Sequence, residues 1–471
     1  MGLATEPMCS VYSAVSGEAL AVADDYEGQT AKEVKCSLAA QVGVSRFRQR
    51  LWTEDWSHEI QDHEVFASDL VKVQLVVLDF LSPELEAEQR MIAASRGNDL
   101  KALEALLQGP RTPCVTDLEG RTPLHYAARN GHVEPMRLLL EAGAARDARD
   151  TSPQGWTPLL LGALRGHWGS VALLLEGSAE TDLATVFEGV TPLFLAAQNG
   201  HVDVVRLLLE AGVDYDKARI DTRTTPLFIA TQKGHVEVVR LLLAARAVGD
   251  KAKAKCHATP LHIAAQEGHV EVARMLLEAG VEIDKVRTCT GATPLHVAAQ
   301  EGHVGVVRLL IEAGVDCNKA RTDCGATPLF IAAHGGHGDV VRLLLGAAVD
   351  CDKALTTDGA TPLYIAAEKG HSHIMRLLLE AGAGHDRATT DNGTTPVFVA
   401  AQNGHVEAVR LLIESGADFH KAADDGATPL YIAAQQGHAD VVRLGLMTRS
   451  KLTQQNRLSQ LRRAMSMLCL C

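Results

Sequence analysis

The chain has 471 residues, enough for about three domains at roughly 150 residues each. Its 46% hydrophobic and 22% charged content, with a mean hydropathy of +0.02, suits a core-forming soluble protein rather than a disordered one. Forty-five basic against 58 acidic side chains leave a net charge of −13, which argues against generic nucleic-acid binding. No run reaches the ~18 apolar residues of a bilayer span; the longest, Val71–Leu81, is interrupted by Lys72, Gln74 and Asp79. The opening MGLATEPMCS lacks a charged-then-apolar leader, so no secretory signal is expected. Ten scattered cysteines without a CxxC pair suit a reduced, intracellular protein, cytoplasmic on this reading, rather than a disulfide scaffold or zinc module.

Residues 9–81 form the first segment. Ser10–Val15 and Glu18–Ala23 flank Ser16-Gly17, which predicts a hairpin. Thr30 to Val42 reads as a helix, with Val34, Leu38, Ala39 and Val42 on one face and Gly43 breaking it. A short strand is expected at Arg48–Trp52 and a closing strand at Val71–Leu78, where Val73, Leu75 and Val77 share a face. This order resembles a ubiquitin-like β-grasp domain, a likeness strengthened by Gln49-Arg50-Leu51 and by Gly43. The resemblance implies a domain that a partner docks on, since the segment runs on through Asp79–Pro83 without a terminal di-glycine for conjugation. It also places Trp52 where ubiquitin presents its apolar recognition patch. The simpler alternative is that Trp52 packs against the first repeat.

From there the sequence repeats. Thr-Pro recurs at Thr122, Thr157, Thr191, Thr225, Thr259, Thr293, Thr327, Thr361, Thr395 and Thr428, almost always 34 residues apart. A Gly-His pair follows each threonine by about ten residues, and Ala93–Gly97 marks an upstream unit without Thr-Pro, as expected of a terminal cap. Within one unit, Thr225 caps a helix starting at Pro226, Gly234 allows a left-handed turn, and a second helix begins near His235. Val238, Val239, Leu241, Leu242 and Leu243 are expected to be buried between neighbours, with Arg240 outward. Glu-Ala-Gly ends the second helix in other units, and a polar ten-residue excursion such as Asp214 to Arg223 follows.

This pattern resembles the ankyrin repeat, two antiparallel helices followed by a β-hairpin finger. The fold class expected is therefore mainly α: an ankyrin-repeat solenoid of about eleven helix-turn-helix plus β-finger units over residues 88–446, preceded by the small α+β β-grasp domain. The period of 34 exceeds the family's usual 33, and only His125, His262 and His296 keep the family's histidine after Thr-Pro-Leu; Phe or Tyr stands in most other units, as at Phe194, Phe228, Phe330, Tyr364 and Tyr431. The resemblance implies that the ten Gly-His histidines tie adjacent turns together. Metal binding by them is rejected on geometry, since stacked units lie about 8–10 Å apart whereas zinc holds nitrogen at about 2 Å. The same spacing argues against a Cys317–Cys351 disulfide. No metal or cofactor is expected.

Two sets of residues are candidate protein-binding positions. Lys217, Lys251, Lys285, Lys319, Lys353, Arg387 and Lys421 form a gap-free column at 34-residue spacing that could hold an acidic or phosphorylated segment. Self-neutralisation by Asp216, Asp250, Asp284, Asp352 and Asp386 is the simpler reading, and the local charge balance favours it. The second set is the groove-facing end of the first helix, where the resemblance places partner contacts: Gln198, Gln266, Gln300, Glu368, Gln402 and Gln435.

The tail, residues 447–471, is basic and carries Leu458, Leu461, Met465 and Leu468 at helical spacing before Cys469-Leu470-Cys471. It reads as a cap on the last repeat, or as an amphipathic membrane anchor with lipidated Cys469 or Cys471. P-loop, G-x-S-x-G, H-E-x-x-H and kinase signatures are absent. The expected function is thus a non-catalytic scaffold that binds proteins in its groove and, through the ubiquitin-like head, components of the ubiquitin system. Membrane anchoring is the runner-up, and an unrecognised enzyme of ubiquitin transfer using a cysteine such as Cys114 comes third.

Overall fold

A computed structural model describes residues 9–13, 19–23, 33–35, 49–53, 59–60, 72–77, 85–109, 112–251 and 257–447. The chain divides into two compact units, residues 1–233 and 234–471.

The first unit opens with a five-stranded sheet. β1 (Cys9–Ser13) and β2 (Ala19–Ala23) pair antiparallel, with Cys9 opposite Ala23. β3 (Gln49–Thr53) pairs with β4 (Glu59–Ile60), a two-residue strand that the sequence pattern is too short to reveal. β5 (Lys72–Val77) lies parallel to β1, Val11 opposite Val73, and antiparallel to β3, Leu51 opposite Leu75. The order is β2-β1-β5-β3-β4. Residues 33–35 are helical, inside the stretch where period 3.6 predicts a helix, and Val34 and Leu51 are fully buried. The rest of that helix, Gly43 and the Ser16-Gly17 turn lie outside the described residues.

Helix pairs follow in the first unit: Leu85–Gly97 with Leu100–Leu107, Pro123–Asn130 with Val133–Glu141, Pro158–Arg165 with Trp168–Glu176, Pro192–Asn199 with Val202–Glu210, and then Pro226–Lys233. The first of these helices begins at Leu85. In the second unit Val236–Ala244 comes first. The pairs Pro260–Glu267/Val270–Glu278, Pro294–Glu301/Val304–Glu312, Pro328–Gly335/Gly338–Gly346, Pro362–Lys369/Ser372–Glu380 and Pro396–Gln402/Val406–Glu414 follow, then Pro429–Gln435 and helical residues 439–447. Among the described residues no helix is long and apolar enough to cross a membrane. The tail helix and the Cys469 and Cys471 ending, on which the anchoring reading depends, lie outside the described residues.

Each helix pair is punctuated as its sequence dictates. The Thr-Pro threonine is buried in extended conformation ahead of a proline whose missing N–H costs nothing at the first helical position. Thr327 Oγ1 accepts the Phe330 N–H at 3.2 Å, and the same bond recurs at Thr225–Phe228 and Thr361–Tyr364. Thr327→Ala is expected to destabilise the protein by about 1–2 kcal/mol, read as a lower urea midpoint, while Thr327→Ser keeps the bond; an unchanged midpoint for the alanine variant would contradict this account.

Inside each unit, first helices pack on first helices and second helices on second helices. The Ala-Ala pairs of the first helices, such as Ala264-Ala265 and Ala298-Ala299, are fully buried, so neighbouring backbones approach closely. In the second helix at 236–244, Val238, Val239 and Leu242 are completely buried and Arg240 is exposed. Leu241 and Leu243 are only half-buried, contrary to expectation, because they flank the stripe at i±1 rather than joining it at i+3 or i+4.

The fingers also differ from expectation. They are not β-hairpins: among residues 85–447 no described residue is in a strand. Each finger is a tight turn closed on itself, as where Arg287 N–H donates to Ala292 O and Gly291 N–H to Arg287 O. It joins the next finger through one backbone bond, such as Ile220 N–H to Glu188 O or Thr356 N–H to Cys324 O. One bond per neighbour is too few for a ladder.

Candidate protein-binding face

Histidines lock the first helices in place. In the units that keep Thr-Pro-Leu-His, the imidazole replaces part of the cap: Thr259 N–H and Oγ1 donate to His262 Nδ1 at 3.2 and 2.8 Å, while Nε2 donates to Ala292 O at 3.1 Å. His296 does the same with Thr293 and Ala326 O, and His125 with Thr122 and Trp156 O. Nδ1 is an acceptor here, so these rings are neutral. Burial is the main cause that pushes His262 and His296 down to about 4, against the opposing pull of their carbonyl bonds; His125 is lowered for the same reason.

The Gly-His histidines bond backward. Nε2 of His201, His303, His337, His371 and His405 donates to a carbonyl 37 residues earlier, at 2.8–3.3 Å, as His303 does to Gln266 O at 2.9 Å. Those carbonyls end the preceding first helix, where the last C=O groups have no intrahelical partner. These nitrogens therefore hold carbonyls rather than a metal.

The same bonds fix the groove candidates. Gln266, Gln300, Glu368 and Gln402 lend their carbonyls to His303, His337, His405 and His438. Their side chains stand at the helix ends, with Gln198, Gln266 and Glu368 half-buried and Gln300, Gln402 and Gln435 exposed. Gln266 Nε2 donates to Glu267 and its Oε1 accepts from Arg287; Gln300 Nε2 donates to Glu301; Glu368 pairs with Lys369 at 3.0 Å. The side chains of Gln266, Gln300 and Glu368 are thus each oriented by a neighbour.

The cation column is used within the protein. Nζ of Lys217, Lys319, Lys353 and Lys421 donates to the carbonyl of Asp182, Asp284, Asn318 and Asp386, 35 residues earlier, at 2.8–3.0 Å. The side-chain oxygens of those same four residues accept backbone N–H groups of the next repeat, as Asn318 Oδ1 does from Asp350 at 2.9 Å. Lys285 pairs with Glu282 at 3.4 Å and Arg387 with Asp352 at 3.5 Å, while Lys251 is exposed and also has a partner. The carboxylates of Asp250, Asp284, Asp352 and Asp386 thus accept backbone N–H groups of the next repeat, and Asp352 also pairs with Arg387. Sequence reasoning missed this stapling, although the gap-free 34-residue column was its signal.

Trp52 pairs through its backbone with Glu59 and Gln74, and its side chain lies outside the described residues. Cys114 is half-buried, with its sulfur accepting the Ala145 N–H at 3.3 Å. Cys317 and Cys351 are both free thiols.

Comparison with known proteins agrees with this architecture. The family model described as ankyrin repeats (3 copies) matches residues 91–185, 170–254, 247–321, 318–388 and 382–456. Human ankyrin repeat domain-containing protein 39 is 42% identical over 66 residues, 14% of this chain and 36% of that protein. A probable E3 ubiquitin-protein ligase of Oryza sativa subsp. japonica is 42% identical over 64 residues, 13% of each chain. Mouse GA-binding protein subunit beta-2 is 42% identical over 57 residues, 12% of this chain and 13% of that one. The chain thus spans about a third or less of each of these relatives. The helix pairs, their caps and a family match running from residue 91 to 456 establish that the chain belongs to the ankyrin-repeat family.

Proposed function

We propose that this protein is a non-catalytic interaction scaffold that takes protein partners on the exposed ends of its first helices. The observation that carries this reading is the row itself. In the repeats of Gln266, Gln300 and Glu368, two polar side chains stand at the same helix end, held by the backward histidine bond, while most of the helix is buried. Such helix ends offer a partner orienting hydrogen-bond groups repeated along each unit. A photo-crosslinking amino acid at Gln300 is expected to capture a partner, whereas one at Arg308, exposed on the second helix of the same repeat, is not. Capture at Arg308 and not at Gln300 would overturn the assignment.

The N-terminal segment is proposed to be a ubiquitin-like head that brings bound partners to ubiquitin-system proteins. The parallel pairing of its first and last strands, flanked by β2 and β3, supports this reading. Trp52→Ala in the full chain is expected to abolish capture of ubiquitin-system proteins and to leave crosslinking at Gln300 intact. Retention of both would remove the head from this role.

A further inference from the structure

One part of the first unit departs from the amide and carboxylate chemistry of the groove. A pocket of about 610 Å³ is lined by Arg96, Tyr126, Arg129, Asn130, Arg165 and His167, and no carboxylate is among them. Arg96, Asn130 and Arg165 occupy one register, the first-helix end that carries Glu267 and Glu301 in the second unit. The pocket is built rather than incidental. The Arg96 guanidinium lies 5.8 Å from the centre of the Tyr126 ring, whose hydroxyl donates to Asp117 Oδ2 at 2.6 Å, fixing the ring. Asn130 Nδ2 donates to Arg96 O at 3.1 Å and joins the first two helix ends. The His167 imidazole is bonded to the Arg129 backbone and packs against Gly131, where a Cβ would fall 2.6 Å from Nδ1. Burial lowers the pKa of His167 against the opposing pull of its bond to the Arg129 backbone, and the nearby His132, His201 and Arg165 lower it further.

We infer that this pocket holds a doubly charged anionic group on an extended segment of a protein partner, a phosphorylated side chain or closely spaced carboxylates. The inference rests on the scaffold reading and names the chemistry of one partner. Three guanidinium groups with the adjoining Asn130 amide exceed what a single carboxylate can accept, and they match the three oxygens and roughly −2 charge of a phosphate ester. The volume is that of a site for a molecule rather than for a lone ion, within the ~300–1,000 Å³ of ligand pockets. The chain's overall negative charge disfavours a nucleic acid or an anionic membrane, which would face the whole surface and not the pocket alone.

The test uses the full chain and a fluorescein-labelled Gly-Ser peptide of about ten residues carrying two adjacent phosphoserines, with its unphosphorylated and Glu-substituted forms, read by anisotropy at about 50 and about 200 mM salt. The phosphorylated peptide is expected to bind at least ~10-fold tighter than the unphosphorylated one and to weaken with salt. The combined variant Arg96→Gln, Arg129→Gln and Arg165→Gln is expected to lose ~10-fold or more, and Glu267→Gln with Glu301→Gln to lose nothing. If the Glu-substituted peptide binds as well, carboxylates are the source of the charge and the inference stands. Equal binding of all three peptides, an unaffected arginine variant, or arginine-dependent binding of phosphatidylserine vesicles without peptide binding would each overturn it. Complete displacement of the phosphopeptide by equimolar inorganic phosphate would reduce the site to a free-anion site and overturn the peptide assignment. Crosslinking at Gln300, in the other unit, reports on the scaffold reading separately.

Discussion

Replacing His262 and His296 together with phenylalanine is expected to reduce this protein's loss of stability between pH 7.5 and pH 5 by about 4 kcal/mol. Both imidazoles are at most 1% exposed and have pKa values of about 4, against 6.5 for the model histidine. The sign follows from linkage. Between these two values the unfolded chain binds protons that the folded chain refuses, so stability is complete above about 6.5 and declines as pH falls towards 4. Each histidine contributes a loss of about 2 kcal/mol by pH 5. Phenylalanine suits the position, as Phe194, Phe228 and Phe330 are all buried there in sister repeats. The Ala292 and Ala326 carbonyls also accept N–H groups of Arg287 and Arg321, so neither is orphaned by the change. Urea midpoints measured at pH 7.5 and pH 5 decide the matter. If the double variant loses as much stability on acidification as the wild type, the buried neutral histidines are not what titrates.

Capping and periodicity were legible because they are local. Thr-Pro at the helix start, glycine at its end and leucine at i+3 or i+4 act within one repeat, and a 34-residue period multiplies a weak signal ten times. The inter-repeat bonds were harder to read. A lysine that donates to a main-chain carbonyl has no partner residue type to betray it, so Lys319 to Asp284 O looks in sequence like an exposed charge beside an acid. The arginine pocket was hidden for the opposite reason. Arg96 and Arg165 lie 69 residues apart with Asn130 between them, and only superposing the repeats at their own period brings the three together. The fingers misled because the β-hairpin was an expectation carried by the family resemblance, whereas neighbouring fingers are joined by a single backbone bond. That bond count is a property of stacking, not of the segment.

Gly268→Ala should cost about 2–4 kcal/mol, far more than the same change at Gly280. Both glycines end helices with positive φ, +75° and +79°, so alanine at either carries the left-handed penalty of roughly 1–2 kcal/mol. The surroundings separate them. A Cβ on Gly280 meets no atom within 4 Å, whereas one on Gly268 falls 2.7 Å from His303 Nδ1 and 2.8 Å from Cε1. That imidazole cannot swing aside without giving up its 2.9 Å bond to Gln266 O, worth about 1 kcal/mol. The glycine of each Gly-His pair therefore serves two repeats, turning its own chain and leaving room for the next unit's ring. A double-mutant cycle isolates the second role. His303→Ala alone loses the carbonyl bond, but in the Gly268→Ala background it also relieves the overlap, so the two changes should be less than additive by about 1 kcal/mol or more. Strict additivity, or equal costs at Gly268 and Gly280, would mean that backbone strain alone selects the glycine and that the histidine merely occupies the space beside it.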